Sequence, residues 1–136
     1  MARGRKPENI TSDRQAIDAV PSAPAWLSKD AKAVWRQVAP LLVERRILTQ
    51  GDLGTLESYA TSTGLVRDMQ RAINKDGAIV ATDKGPKRHP ALGIQNAAMV
   101  TARLCAGELG LTPVSRSRPS IRDDDQGDDD DPLNVS

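Results

Sequence analysis

Phenylalanine is missing from the 136 residues, and the only aromatics are Trp26, Trp35 and Tyr59. A domain with so few large side chains buries little apolar area, and self-association would add to it. Single-strand nucleic-acid binders need exposed aromatic platforms. All three aromatics fall on expected core stripes, which argues against that class. One cysteine, Cys105, cannot form an internal disulfide or a thiolate zinc site. One histidine, His89, leaves little for a His-based triad or a multi-His metal site. No run approaches the ~18 consecutive apolar residues of a membrane-spanning helix. The basic start, Met1–Lys6, has no apolar stretch behind it, so a secretory signal is not expected. No GxxxxGK[ST] loop, GxSxG, HExxH or CxxC pattern occurs. Neither enzymatic activity nor a cofactor is expected, and the expected setting is a reducing cytoplasm.

What is present is charge, unevenly placed. The formal net charge is only +1, yet all 19 Lys and Arg lie within residues 1–122, against 11 acidic residues there. The other seven acids are Asp123, Asp124, Asp125, Asp128, Asp129, Asp130 and Asp131. A basic body with an acidic tail is a pattern of nucleic-acid-handling chains. Three basic clusters stand out: Arg3, Arg5 and Lys6; Lys84, Lys87 and Arg88; and Arg116, Arg118 and Arg122. Lysine and arginine neutralise phosphates and release counterions, which gives salt-dependent, largely sequence-independent affinity. With aromatics scarce, the clusters favour duplex over single-stranded nucleic acid. The aspartates lack the spacing of a calcium loop and read as a surface for a basic partner, or as a flap that competes with DNA for the body.

The chain divides into a flexible basic arm (1–23), a folded core (24–118) and a disordered acidic tail (119–136). The core reads as mainly α. A first helix is expected from Lys29 to Arg46, capped by Ser28. Its apolar stripe is Ala31, Val34, Trp35, Val38, Leu41 and Leu42. Pro40 should kink or divide it, and Trp26 and Leu27 should fold back as a staple. A second helix is expected from Gln50 to Lys75, with Thr49 and Asp52 at capping-box spacing. Its stripe is Leu53, Leu56, Tyr59, Ala60, Thr63, Val66, Met69 and Ile73, and Gly77 should end it in the left-handed region. The short link between the two implies a long antiparallel helical hairpin. Residues 78–82 read as a strand or one arm of a small β-hairpin, and 83–88 as a polar turn. A third helix should run from Pro90 to about Gly107 on an apolar face of Ile94, Ala97, Ala98, Thr101, Leu104 and Cys105, loosened at its end by Gly107 and Gly110. Thr112-Pro113 should open a short C-terminal helix, 114–118. His89 reads as structural or phosphate-facing, and Cys105 as a small buried apolar residue.

The order of these features resembles the phage terminase small-subunit family. The matching residues are Pro24 with Trp26-Leu27, then Trp35, then Leu48-Thr49 with Asp52 and Tyr59, then Gly77 and His89-Pro90. Last comes the run Leu109-Gly110-Leu111-Thr112-Pro113, trailed by Arg116 and Arg118. The resemblance covers roughly residues 22–118 and implies a non-catalytic protein of viral genome packaging in the host bacterial cytoplasm. It implies a ring of roughly eight or more copies, built on heterologous interfaces. That ring would bind viral duplex DNA, deliver it to the large ATPase and nuclease subunit, and modulate that subunit. The resemblance carries no DNA-contact residues over; the three basic clusters rest on charge alone. Two rival readings remain. One is a dimeric helical DNA-binding regulator of a phage or prophage. The other is an adaptor whose basic clusters meet acidic protein surfaces.

Overall fold

The computed structural model describes residues 15–115. Arg3, Arg5, Lys6, Arg116, Arg118, Arg122, the seven aspartates of 123–131 and the end of the expected C-terminal helix lie outside them.

Helix α1 spans Lys29–Glu44. The Ser28 hydroxyl accepts from the Ala31 amide at 3.1 Å, relieving one of the unpaired first-turn donors. Ser28→Ala should cost about 1 kcal/mol. Differential scanning calorimetry should record a fall in Tm of roughly 4–8 °C. Ala31, Val34, Trp35, Ala39 and Leu42 are the buried residues of this helix, as the three-to-four spacing requires. The helix runs through Pro40 undivided, so of the expected kink or division the division does not occur. Pro40 is solvent-exposed, and so is Arg36, whose carbonyl loses its ladder partner. Water can satisfy that carbonyl, and the ring crowds no neighbouring element. The helix ends in two reversed bonds, Ile47 amide to Leu42 carbonyl at 3.0 Å and Arg46 amide to Val43 carbonyl at 2.9 Å. Arg46 stands at φ 58°, the left-handed position such an ending needs.

A 3-10 turn, Gln50–Asp52, leads into helix α2, Leu53–Asp76. Asp52 reaches back in spite of its short side chain. Its carboxylate accepts from the Thr49 amide at 3.0 Å and the Thr49 hydroxyl at 2.9 Å. Every residue of the expected α2 stripe is at least half-buried. Asp30, at the start of α1, pairs with Arg71, late in α2, so the two helices are antiparallel. The Arg71 guanidinium holds the Asp30 carboxyl below the usual carboxylate range. The link is therefore ionic at neutral pH and is lost only in acid, as pH falls through that lowered value. Gly77, at φ 88° and ψ 154°, has positive φ as expected. Its ψ is extended, though, so it turns the chain out into a strand and not into a left-handed cap.

Strands β1 (Ile79–Val80) and β2 (Lys87–Arg88) pair antiparallel, Ile79 opposite Arg88 and Val80 opposite Lys87. Helix α3, Ala91–Glu108, then returns along α2. Helices α1 and α3 each pack against α2 and scarcely touch each other. The main core joins Leu27, Val34, Trp35, Leu42, Leu48 and Leu56 with Leu109 beyond α3.

Three expectations are corrected here. The face of α3 that packs is Ala91, Gln95, Ala98 and Cys105; Ile94, Ala97, Thr101 and Leu104 are exposed. Trp26 is 65 % exposed, so Leu27 alone serves as the buried staple. Gly110 does not loosen the end of α3. At φ 72° it closes that end, with the Leu111 amide on the Ala106 carbonyl at 2.9 Å and its own amide on Gly107 at 3.2 Å. Burial pushes the Cys105 thiol up, in keeping with an inert packing residue.

Part of the expected arm is held on the body. Ala16 bridges to Thr49, the Ile17 amide donates to the Leu48 carbonyl at 2.7 Å, and the Trp35 indole donates to the Pro21 carbonyl at 2.8 Å. Thr112 caps the last described turn by accepting from the Ser115 amide at 3.0 Å, and residues 113–115 are helical.

Candidate nucleic-acid interface

Of the three basic clusters, the structure describes Lys84, Lys87 and Arg88, and places all three on the β-hairpin between α2 and α3. The hairpin closes through a tight turn from Thr82 to Gly85. The Gly85 amide donates to the Thr82 carbonyl at 2.9 Å, and the Thr82 amide returns to the Gly85 carbonyl at 3.1 Å. The Thr82 hydroxyl donates to that same carbonyl at 2.6 Å and accepts from the Lys84 amide at 3.2 Å. Gly85 sits at φ 105°, where a Cβ would be strained. This geometry puts Asp83 and Lys84 at the tip. Gly77 and His89 fix the base.

His89 is structural. Its Nδ1 accepts from the Ala91 amide at 2.9 Å, satisfying a first-turn donor of α3. That assigns the ring proton to Nε2, which lies 2.9 Å from Asp76 Oδ2 at the end of α2. The His89 amide also donates to the Ala78 carbonyl at 2.7 Å. One imidazole thus ties together the end of α2, the foot of the hairpin and the start of α3. It is not turned toward solvent as a phosphate ligand.

Above that base the hairpin is solvated on both faces. Lys84, Lys87 and Arg88 are all exposed, and only Val80 among the strand residues is half-buried. Side chains alternate along a strand, so Lys87 and Arg88 point to opposite faces of the ribbon. Neither they nor Lys84 has an ion-pair partner among the described residues. The sequence alone reads 83–88 as turn only. The second strand forms because Thr82 and Gly85 fold the chain back onto Ile79 and Val80, not because Lys-Arg is a good strand former. A ribbon with cations on both faces suits a groove, where phosphates lie to either side. A ribbon lying on one phosphate row would use a single face. A two-stranded ribbon fits the major groove of duplex DNA.

Among the described residues, no group of three or more His, Cys, Asp or Glu side chains is placed to hold a metal ion. No helix there is long and apolar enough to cross a membrane. A family model described as phage terminase, small subunit, matches residues 31–126. No curated protein and no solved structure matches the chain.

Proposed function

The chain belongs to the phage terminase small-subunit family and has a role in phage DNA packaging; on that footing we propose that it is the non-catalytic, DNA-recruiting ring of the packaging machine. Roughly eight or more copies close into a ring through heterologous contacts. The ring binds viral duplex DNA in the host bacterial cytoplasm, delivers it to the large ATPase and nuclease subunit, and modulates that subunit. The observation that carries the DNA reading is the doubly solvated ribbon with Lys84 at its tip and Lys87 and Arg88 on opposite faces. Arg3, Arg5, Lys6, Arg116, Arg118 and Arg122 add phosphate contacts from either end of the chain. The aspartates of 123–131 meet a basic surface of the large subunit.

The triple variant Lys84→Ala, Lys87→Ala and Arg88→Ala tests the ribbon. All three side chains are exposed, so the fold should persist. Duplex affinity should fall. The slope of log affinity against log salt should flatten by about 0.9 for each phosphate that the variant no longer neutralises. A fluorescence-anisotropy titration at several salt concentrations reads both. An unchanged slope would remove the ribbon from the interface.

A further inference from the structure

The basic ribbon carries one side chain that phosphate binding does not explain. Asp83 is the sole acidic residue between Asp76 and Glu108, and it stands exposed at the tip beside Lys84. The turn does not need its carboxylate. Aspartate serves many turns by accepting from the backbone two residues on. Here Thr82 fills that role: its hydroxyl accepts from the Lys84 amide, and the Thr82 and Gly85 backbones close the loop. The Asp83 carboxylate has neither a hydrogen bond nor an ion pair among the described residues.

A carboxylate on a phosphate-binding surface is repelled unless it meets donors instead. Its place on the ribbon decides which it meets. Lys87 lies three residues behind Lys84, up to roughly 10 Å of extended chain. The major groove is ~8.5 Å deep. A ribbon entering tip-first thus keeps Lys87 and Arg88 level with the phosphates at the rims and sets Asp83 against the base edges on the floor. Lys84 beside it leaves the tip without net charge, so the phosphates do not turn the tip back. On the floor the bases offer different partners. Guanine presents two acceptors, thymine an acceptor and a methyl group, and adenine a donor flanked by an acceptor. Cytosine alone presents a donor with no acceptor on its own edge. An ionised carboxylate can only accept, so cytosine is its match.

We infer that Asp83 is a specificity-determining residue, whose carboxylate accepts from the N4 amino group of cytosine in the major groove. The ribbon then prefers duplex DNA with a C·G pair under its tip. The inference rests on the duplex-binding reading of the ribbon and adds base readout to what Lys87 and Arg88 supply as charge.

The test uses the full chain, Asp83→Ala and Asp83→Asn. Each is titrated by fluorescence anisotropy, at several salt concentrations, with two duplexes of equal length, one built only of G·C pairs and one only of A·T pairs. Wild type should bind the G·C duplex about fivefold more tightly, the low end for a base contact. Asp83→Ala should erase that preference and leave the salt slopes unchanged, because a carboxylate neutralises no phosphate. Asp83→Asn should turn the preference toward A·T, since a carboxamide pairs with adenine N6 and N7. A residue that only shaped the turn would lower both affinities together and reverse nothing. Equal wild-type affinities for the two duplexes, or a preference that both variants keep, overturn the role of Asp83 while salt-dependent duplex binding leaves the ribbon standing. A wild-type salt slope that the triple ribbon variant does not change overturns the ribbon reading, and Asp83 with it.

Discussion

Gly64→Ala should lower the melting temperature by roughly 5–15 °C, although alanine is the better helix former. A Cβ at Gly64 would stand 2.7 Å from the Ala31 amide nitrogen and 3.0 Å from its Cα. Those are backbone atoms of a helix that Ser28 has already capped, so no side chain can swing aside. Helices α1 and α2 must separate, and overpacking of this kind costs about 1–3 kcal/mol. The propensity gain of about 1 kcal/mol opposes it and is the smaller term when backbone must move. Gly54→Ala on the same helix is the internal control, because nothing lies within 4 Å of its Cβ. That variant should be neutral or slightly stabilised. If calorimetry gives both variants the same shift, the close approach of the two helices is not a constraint.

Trp35→Ala should have the largest effect of any single truncation. Trp35 is 3 % exposed in a core that contains no other tryptophan and no phenylalanine. Emptying such a site costs about 3–5 kcal/mol, out of a total that for an ordinary domain is about 5–15 kcal/mol. Trp35→Phe separates the two roles of the side chain. It keeps most of the ring and removes the 2.8 Å bond to the Pro21 carbonyl, worth about 0.5–1.5 kcal/mol. Urea unfolding followed by circular dichroism should therefore rank wild type above Trp35→Phe, and Trp35→Phe well above Trp35→Ala. Equal losses for the two variants would mean that the hydrogen bond to the N-terminal segment, not the packing, dominates the site.

The legible parts of the fold are those where two independent signals coincide. Ser28 before an apolar stripe, and Thr49 with Asp52 before another, fix the starts of α1 and α2 within a few residues. The short link between them leaves little choice but an antiparallel hairpin. Helix α3 is legible as a helix but not in its orientation. Alanine, isoleucine, methionine, valine and leucine occur all round it, so several stripes have the same spacing, and only tertiary contact chooses among them. The packed face includes the polar Gln95, which no apolar pattern would select. Trp26 misleads for a related reason: a large apolar side chain beside a cap reads as a staple unless the other side chain, Leu27, takes that place. Pro40 shows the converse, since the cost of a helix proline depends on whether the abandoned carbonyl faces water. In the candidate interface, the basic cluster at 84–88 is legible as charge. The ribbon is legible as a small hairpin with one arm in 78–82; the place of its second strand is not, because that strand is made by turn geometry and lacks β-forming residues.

The buried carboxamide of Gln95 has a mechanical meaning. Its nitrogen donates to the Val66 carbonyl at 3.2 Å and to Gln70 Oε1 at 2.9 Å. The rest of that seam is small and smooth, with Ala91, Ala98 and Cys105 facing α2. Smooth seams let helices slide, and a slip of one turn moves a helix by about 5.4 Å. Gln95 acts as a detent against that slip, because any other setting would strand its polar atoms in the seam. The hairpin is joined directly to the start of α3, so the same detent gauges how far the ribbon reaches beyond the helices. The level at which the ribbon leaves the helices is thus held by Gln95 in the seam together with the His89–Asp76 tie at the hairpin's foot, and not by the basic residues at its tip.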